Sequence, residues 1–321
     1  MVETELLNMG SRALKTLATN QVAKSYVLGN EYLYTILRKA ADRYLGGETL
    51  EETLNKAVVT NGDGFKSSIE FMGENISEEI KAVTATEEFI RICESIGSLK
   101  LNSTVSLDLS HIGLDVSKDL CLDNLLKICA AASIYGIEVN LSAEATHQTD
   151  HVLNMYKRAC DLTNRLGQNV LAITLQAYLY RTRDDFNEIK KMPGRIRVVK
   201  GAFATDEKLS MKRGSKLNDA YMSYVDQLLQ IGHKCSVATH DHIIQQEAKK
   251  LIDHYRPERH LYEFECLHGI QQANLKQLKE EGYMTKIYYV YGKEWYLYLC
   301  NRLSEYPLNL FRALEDMISV N

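Results

Sequence analysis

Only three prolines (193, 257 and 307), one tryptophan and no CxxC pair occur in the 321 residues, and no low-complexity segment divides the chain. That scarcity leaves no obvious interdomain linker, so one large core or two modest ones are expected. The seven cysteines (93, 121, 129, 160, 235, 266 and 300) are scattered and odd in number. They suggest neither a disulfide framework nor a thiolate zinc site, and read mostly as small core residues. No apolar run approaches the roughly 20 residues that span a bilayer, and the first five residues carry Glu3 and Glu5 where a secretory signal is basic. The chain is expected in the cytoplasm, with peripheral attachment at a membrane left open. A net charge of -4 and no Lys/Arg stripe with interleaved aromatics argue against a nucleic-acid partner.

What the sequence has is alternation. Residues 1–66 read as a helical arm, because Leu33, Leu37, Ala40, Ala41, Leu54 and Val58 recur at helix spacing with Gly46 and Gly47 punctuating the run. From residue 67 onward, short aliphatic runs alternate with amphipathic stretches. The runs are Ser68–Met72, Thr104–Leu109, Gly136–Leu141, Val170–Leu175, Arg195–Lys200, Lys234–Thr239, Tyr262–Cys266 and Lys286–Val290. Helical stretches such as Glu78–Ser95, Asp119–Ser133, Thr149–Leu166, Asn218–Gln230 and His242–His254 lie between them. Asp184 and Ser215 read as caps, and Gly136, Gly167 and Gly232 as stops. Eight strand–helix repeats predict an α/β fold, a (β/α)8 TIM-type barrel over residues 67–321 with a C-terminal lid helix; a doubly wound open sheet is the alternative.

A barrel keeps its chemistry at the C-terminal ends of its strands. Arg197–Phe203 puts two cations, Arg197 and Lys200, on a strand that should be buried, followed by Gly201. Such cations need carboxylate partners or ligand oxygens. Ala238-Thr239-His240-Asp241-His242 ends another strand, where an HxH pair also begins the metal site of some barrel hydrolases. Companion ligands are thin, with only His268 and Glu265 further on, so a histidine packed on a flat ligand is preferred and no metal is expected. In Tyr291–Tyr298 and on to Glu305, helix spacing puts Tyr298, Arg302 and Glu305 on one face, either in the core or as a lid over the barrel mouth.

In order and spacing these segments resemble the proline dehydrogenase family from about Ser68 to Phe311. They are joined by Ser106–Leu122, Gln176–Arg181, Tyr262–Leu267 and Ile287–Asn309. The resemblance implies a (β/α)8 barrel that holds FAD and transfers hydride from a carbon next to nitrogen to flavin N5. It implies cofactor contacts at Gln176, Arg197, Val199, Lys200, Gly201, Ala202, Thr239, His240 and Glu305, with Arg197 and Lys200 as catalytic candidates.

On the substrate side, Leu267, Tyr288, Tyr298 and Arg302 match the family's pattern. Asp108 stands where the family has Lys, Ser142 where it has Asp, Phe203 where it has Tyr, and Asn301 where it has the first of two arginines. The expected substrate is therefore a small amine or imino acid, with free L-proline disfavoured by the added negative charge. A quinone or another protein is the expected electron acceptor. Two alternatives remain: a flavin-binding homologue that has lost activity and serves in regulation or assembly, and a metal-dependent barrel hydrolase.

Overall fold

Apolar side chains recur at every second position along eight short runs. In the computed structural model, which describes residues 2–203, 205–305 and 308–318, each run is a strand of one closed parallel barrel. The strands are β1 (Lys66–Phe71), β2 (Ser103–Leu107), β3 (Val139–Leu141), β4 (Leu171–Gln176), β5 (Ile196–Val199), β6 (Cys235–Ala238), β7 (Tyr262–Leu267) and β8 (Thr285–Tyr291). They pair in chain order, and β8 closes on β1 from Lys66↔Lys286 to Phe71↔Tyr291. Closure is what excludes the open-sheet alternative.

Four helices come first: α1 (Val2–Thr19), α2 (Gln21–Gly29), α3 (Glu31–Asp42) and α4 (Leu50–Gly62). The crossovers after β1 to β7 then carry α5 (Glu79–Ser98), α6 (Lys118–Ile134), α7 (Thr149–Arg165), α8 (Thr182–Ile189), α9 (Ser215–Gln230), α10 (His242–Tyr255) and α11 (Gln272–Glu280). α12 (Trp295–Glu305) and α13 (Asn309–Ile318) follow β8.

The 1–66 arm does not behave as one unit. α4 packs against β1 and β8, and its Leu50, Leu54 and Ala57 belong to the barrel core. It thus fills the place next to β8 and β1 that a helix following β8 would otherwise take. α12 packs on α1 and α3 instead, and α13 on α3. Ala40, Ala41, Tyr44, Trp295, Leu299 and Leu303 form a second, smaller core there, with the Tyr34 ring edge-on to Trp295 at 5.3 Å. β1 also begins inside the expected arm, at Lys66.

Two expected caps differ. Asp184 lies in the first turn of α8, behind the N-cap residue Arg181, where its charge suits the helix dipole. Ser215 is the first residue of α9, and Gly214 precedes it as N-cap. Gly136, Gly167 and Gly232 do follow helices with φ of 65°, 72° and 66°, the left-handed geometry that suits glycine just past a helix end. Tyr306 and Pro307, within the expected lid motif, lie outside the described residues. All seven cysteines are buried free thiols.

The alternation has a further consequence. The outward positions (Val105 and Leu107, Val139 and Leu141, Ile173 and Leu175, for example) form the apolar core under the helices. The inward positions are polar and charged, in contrast to the branched apolar layers usual in such barrels. Lys66 on β1 reaches Glu263 on β7 at 2.8 Å. Lys286 on β8 reaches Glu263 at 2.5 Å and Glu265 at 2.8 Å. Arg195 lies 3.2 Å from Glu138 and 3.6 Å from Glu263. Buried charges of this kind are tolerated only when paired, so the lumen specifies its partners more than it adds stability.

Candidate active site at the barrel mouth

A cavity of about 360 Å³ opens at the C-terminal ends of the strands. That volume lies within the range of small-molecule and cofactor sites. Every strand or the residue just past it contributes at least one side chain, from Glu70 of β1 and Asp108 just past β2 round to Leu267 of β7 and Val290 of β8. Ser142, Gln176, Val199 and Ala238 complete the ring.

Arg197 sits one layer deeper, buried. Its Nε donates to Thr174 Oγ1 at 2.8 Å, its Nη1 to Glu265 Oε1 at 3.1 Å, and its Nη2 to Ser142 Oγ at 3.2 Å. The guanidinium lies 4.9 Å from the Tyr288 ring centroid. Lys200, just past β5, donates to Asn218 Oδ1 at 2.8 Å and to the Asp241 carboxylate. Burial pushes the Asp241 carboxyl up, but Lys200 and the backbone amides of Ile243 and Ile244 outweigh it and hold it below the usual range. Both cations of the Arg197–Lys200 pair therefore have carboxylate partners while still lining the cavity.

Gly201 has a φ of 102°, and a Cβ there would lie 2.2 Å from the Tyr178 ring. The glycine lets the chain turn over that ring. Ala202 and Phe203 continue along the cavity wall, Phe203 partly exposed. Gln176 lines the wall while its amide donates to the Glu144 carbonyl at 3.0 Å.

His240 lies beside Thr239 at the end of β6, and its Nε2 accepts from the Leu267 backbone N–H at 3.0 Å. An acceptor Nε2 makes the ring neutral with its proton on Nδ1. Burial, reinforced by Arg302, drops its pKa to about 4, so it stays neutral near pH 7. His242 is the first residue of α10. Among the described residues no group of three or more His, Cys, Asp or Glu is arranged to hold a metal ion.

α12 supplies the cover. Tyr298 and Arg302 share the face expected from helix spacing, with the guanidinium 5.0 Å from the Tyr298 ring centroid. Arg302 Nη2 donates to Glu305 Oε1 at 2.6 Å, and all three residues line the cavity. Asn301 does not line it: on the same helix it is a residue away from that face.

Sequence reasoning missed Glu70. It faces the cavity, with Ser142 Oγ 3.4 Å from its Oε2. Burial, with help from Glu74 and Glu265, raises its carboxyl to about 7 against the pull of Arg197 and Ser142. The Asp108 carboxyl is likewise raised well above the usual carboxylate range, by burial and then by Glu70, Glu144 and Glu74. An acidic residue at an inward position of β1 was the available signal. Arg213, also missed, lines the cavity from the loop after β5, and its Nη2 donates to the Gly201 carbonyl at 2.6 Å.

Residues 53–309 match the family model described as proline dehydrogenase. The chain is 30% identical over 283 residues to proline dehydrogenase 1 of Bacillus subtilis strain 168, covering 88% of this chain and 91% of that protein. It is 28% identical over 281 residues to a proline dehydrogenase of Deinococcus radiodurans, covering 87% and 90%. Its fold superposes on proline utilization A from Bdellovibrio bacteriovorus, a crystal structure inactivated by N-propargylglycine, with a TM-score of 0.79 and 18% identity. That match covers 92% of this chain and 36% of the longer protein.

Proposed function

We propose a function on one established premise: this chain belongs to the proline dehydrogenase family. Membership makes it a flavin-dependent oxidoreductase acting on a CH–NH bond. The proposed reaction is oxidation of the C–N bond of a small amine or imino acid, with FAD held at the barrel mouth. The observation that carries this reading is the convergence of all eight strands and α12 on one cavity lined by Arg197, Lys200, His240 and Arg302.

The residues fit an acceptor-rich cofactor. Arg302 Nε is buried without a partner, an expensive state unless something accepts its proton. Lys200, Arg213 and the His240 Nδ1 proton add donors along the same wall. Gln176, Val199, Gly201, Ala202, Thr239 and Glu305 are the remaining proposed cofactor contacts. When bound, FAD supplies hydride acceptance at N5 from the carbon next to nitrogen.

The chain's own residues would then position and cover. Arg197, fixed by Thr174, Ser142 and Glu265, sets a positive potential under the reacting atoms. Tyr288, stacked on Arg197, gives the substrate a flat apolar seat beside Leu267. Tyr298 and Arg302 close the mouth and exclude water. Each charged pair that lines the cavity uses its cation internally, so little positive charge is left for a substrate carboxylate. An amine without a free carboxylate is the proposed substrate and L-proline a poor one. No helix among the described residues is long and apolar enough to cross a membrane, and a cytoplasmic place with a quinone or protein electron acceptor is proposed.

The test is direct. Purified protein should be yellow, with a flavin spectrum, and pyrrolidine should bleach it under anaerobic conditions more readily than L-proline does. Colourless protein that binds no added FAD sinks the reading. Flavin that no amine bleaches would favour a homologue without activity.

A further inference from the structure

Carboxylates outnumber cations in the barrel lumen and the layer above it. Four buried or half-buried cations point inward, Lys66, Arg195, Arg197 and Lys286, against the carboxylates of Glu138, Glu263 and Glu265. Glu70 and Asp108 lie in the layer above, on adjacent strands, where Glu70 pairs in register with Ser106, two residues before Asp108. Together they make five carboxylates over four cations. The other cations lining the cavity change nothing, since Lys200 is matched by Asp241 and Arg302 by Glu305; Arg213 donates to a carbonyl at the rim.

Glu144 and Glu74 face the pair as well, so carboxylates outnumber cations here, and desolvated carboxylates on adjacent strands disfavour ionising together. The pair has little else to do in the fold. Glu70 receives one long hydrogen bond from Ser142, and the Asp108 carboxylate has no hydrogen bond or ion pair to another described residue. Both open onto the cavity beside Tyr288 and Arg197.

We propose that Glu70 and Asp108 form an electrostatically coupled carboxyl pair that binds the substrate as an ammonium ion and takes its proton. The inference rests on the amine-oxidising reading above and deepens it by assigning the group that prepares the amine. A protonated amine has no lone pair with which to form a C=N bond. In the step proposed here an N–H bond of the ammonium breaks, its proton moves to a carboxylate oxygen of the pair, and the electron pair stays on nitrogen. Charge is conserved: a cation beside an anion becomes a neutral amine beside a neutral acid, the less costly state in a desolvated cavity. A carboxyl group raised to about 7 is matched to this work near neutral pH.

The groups facing the pair are Arg197 of β5, Glu265 of β7, Glu74 after β1, Glu144 after β3, Ser142, and Tyr298 of α12, which Arg302 in turn faces. The assignment to Glu70 and Asp108 is therefore made by isosteric variants. Pyrrolidine, a cation throughout pH 5.5–8.5 on chemical grounds (a range of about three units), is titrated into the purified holoprotein by calorimetry under anaerobic conditions. Binding should tighten as pH rises through about 7, where Glu70 gains its charge. Asp108→Asn should weaken binding by roughly 30-fold or more, the scale of losing a desolvated charge partner. Glu70→Gln should remove the dependence around pH 7 and be at least as heat-stable as the unmodified protein, which separates loss of the pair from misfolding.

Undetectable pyrrolidine binding, binding without pH dependence in the unmodified protein, or affinity unchanged by both substitutions would each overturn the proposal. Protein lacking flavin would instead count against the oxidoreductase reading. The calorimetric titration still reads the pair in that case.

Discussion

Arg197 on β5 and Glu265 on β7 meet across the barrel lumen at 3.1 Å, and the same carboxylate holds Lys286 of β8. The Arg197 guanidinium beneath the cavity is thus held by the strand next but one along the barrel.

Replacing Arg197 by Ala should both destabilise the protein and release flavin. Removing one member of a buried ion pair typically costs about 3–5 kcal/mol. Lys200→Ala, at a half-buried pair, should weaken flavin retention or disturb its spectrum with a smaller loss of stability. The flavin-to-protein absorbance ratio and the melting temperature measure the two effects. Unchanged flavin content and spectrum in both variants would reject the cofactor assignment.

Charge at residue 108 should set substrate choice. Asp108→Lys places a cation beside Glu70, and it should raise anaerobic bleaching by L-proline relative to pyrrolidine by on the order of tenfold or more. Because Asn301 lies off the cavity-lining face, Asn301→Arg alone should do less. Efficient oxidation of L-proline by the unmodified protein would show that the charge argument misreads the cavity.

Stability should carry the signature of Glu70. Its carboxyl is raised in the folded state to about 7, mainly by burial, whereas the unfolded chain ionises near 4.5. The group's contribution is therefore fully present below about 4.5 and is lost as pH rises through about 7. Glu70→Gln should gain on the unmodified protein over this window, by on the order of 3 kcal/mol. Buried His111, His240 and His268, lowered to about 4, act in the opposite sense, losing stability as pH falls from about 6.5. Hence the difference between variant and unmodified protein, measured by denaturant unfolding from pH 4.5 to 8, is the proper readout. A difference that stays flat across that range contradicts the assignment.

Chelation should leave flavin content and turnover unchanged, since His240 already spends Nε2 on the Leu267 N–H. Activity abolished by a chelator and restored by Zn²⁺ or Mn²⁺ would overturn this.

Gly201→Ala should destabilise the protein by about 1–3 kcal/mol, the usual range for forcing a side chain into positive φ against a buried neighbour. Tyr178 cannot yield easily, because its hydroxyl hydrogen-bonds Thr205 Oγ1 at 2.7 Å and the Phe203 carbonyl at 3.2 Å. A melting temperature equal to the unmodified protein's would show that the turn tolerates a Cβ.

Much of this was already written locally. Alternation along runs such as Thr104–Leu109 and Lys286–Val290, helical spacing between them, and glycines at 136, 167 and 232 determined eight strand–helix units and their order, because each signal depends only on neighbours in the chain. The pairing of Tyr298, Arg302 and Glu305 was equally local, being set by the pitch of one helix. Three things were decided only by tertiary structure. Which helix covers the seam between β8 and β1 was settled in favour of α4, since an amphipathic face does not name its partner. Asn301 was excluded from the cavity by the rotation of α12, which its packing on α1 and α3 fixes. Lys66, Glu263, Glu265 and Lys286 became one ion network with Arg197 only when closure of the barrel brought residues about 200 apart into a medium too poor in water to leave a charge unpaired.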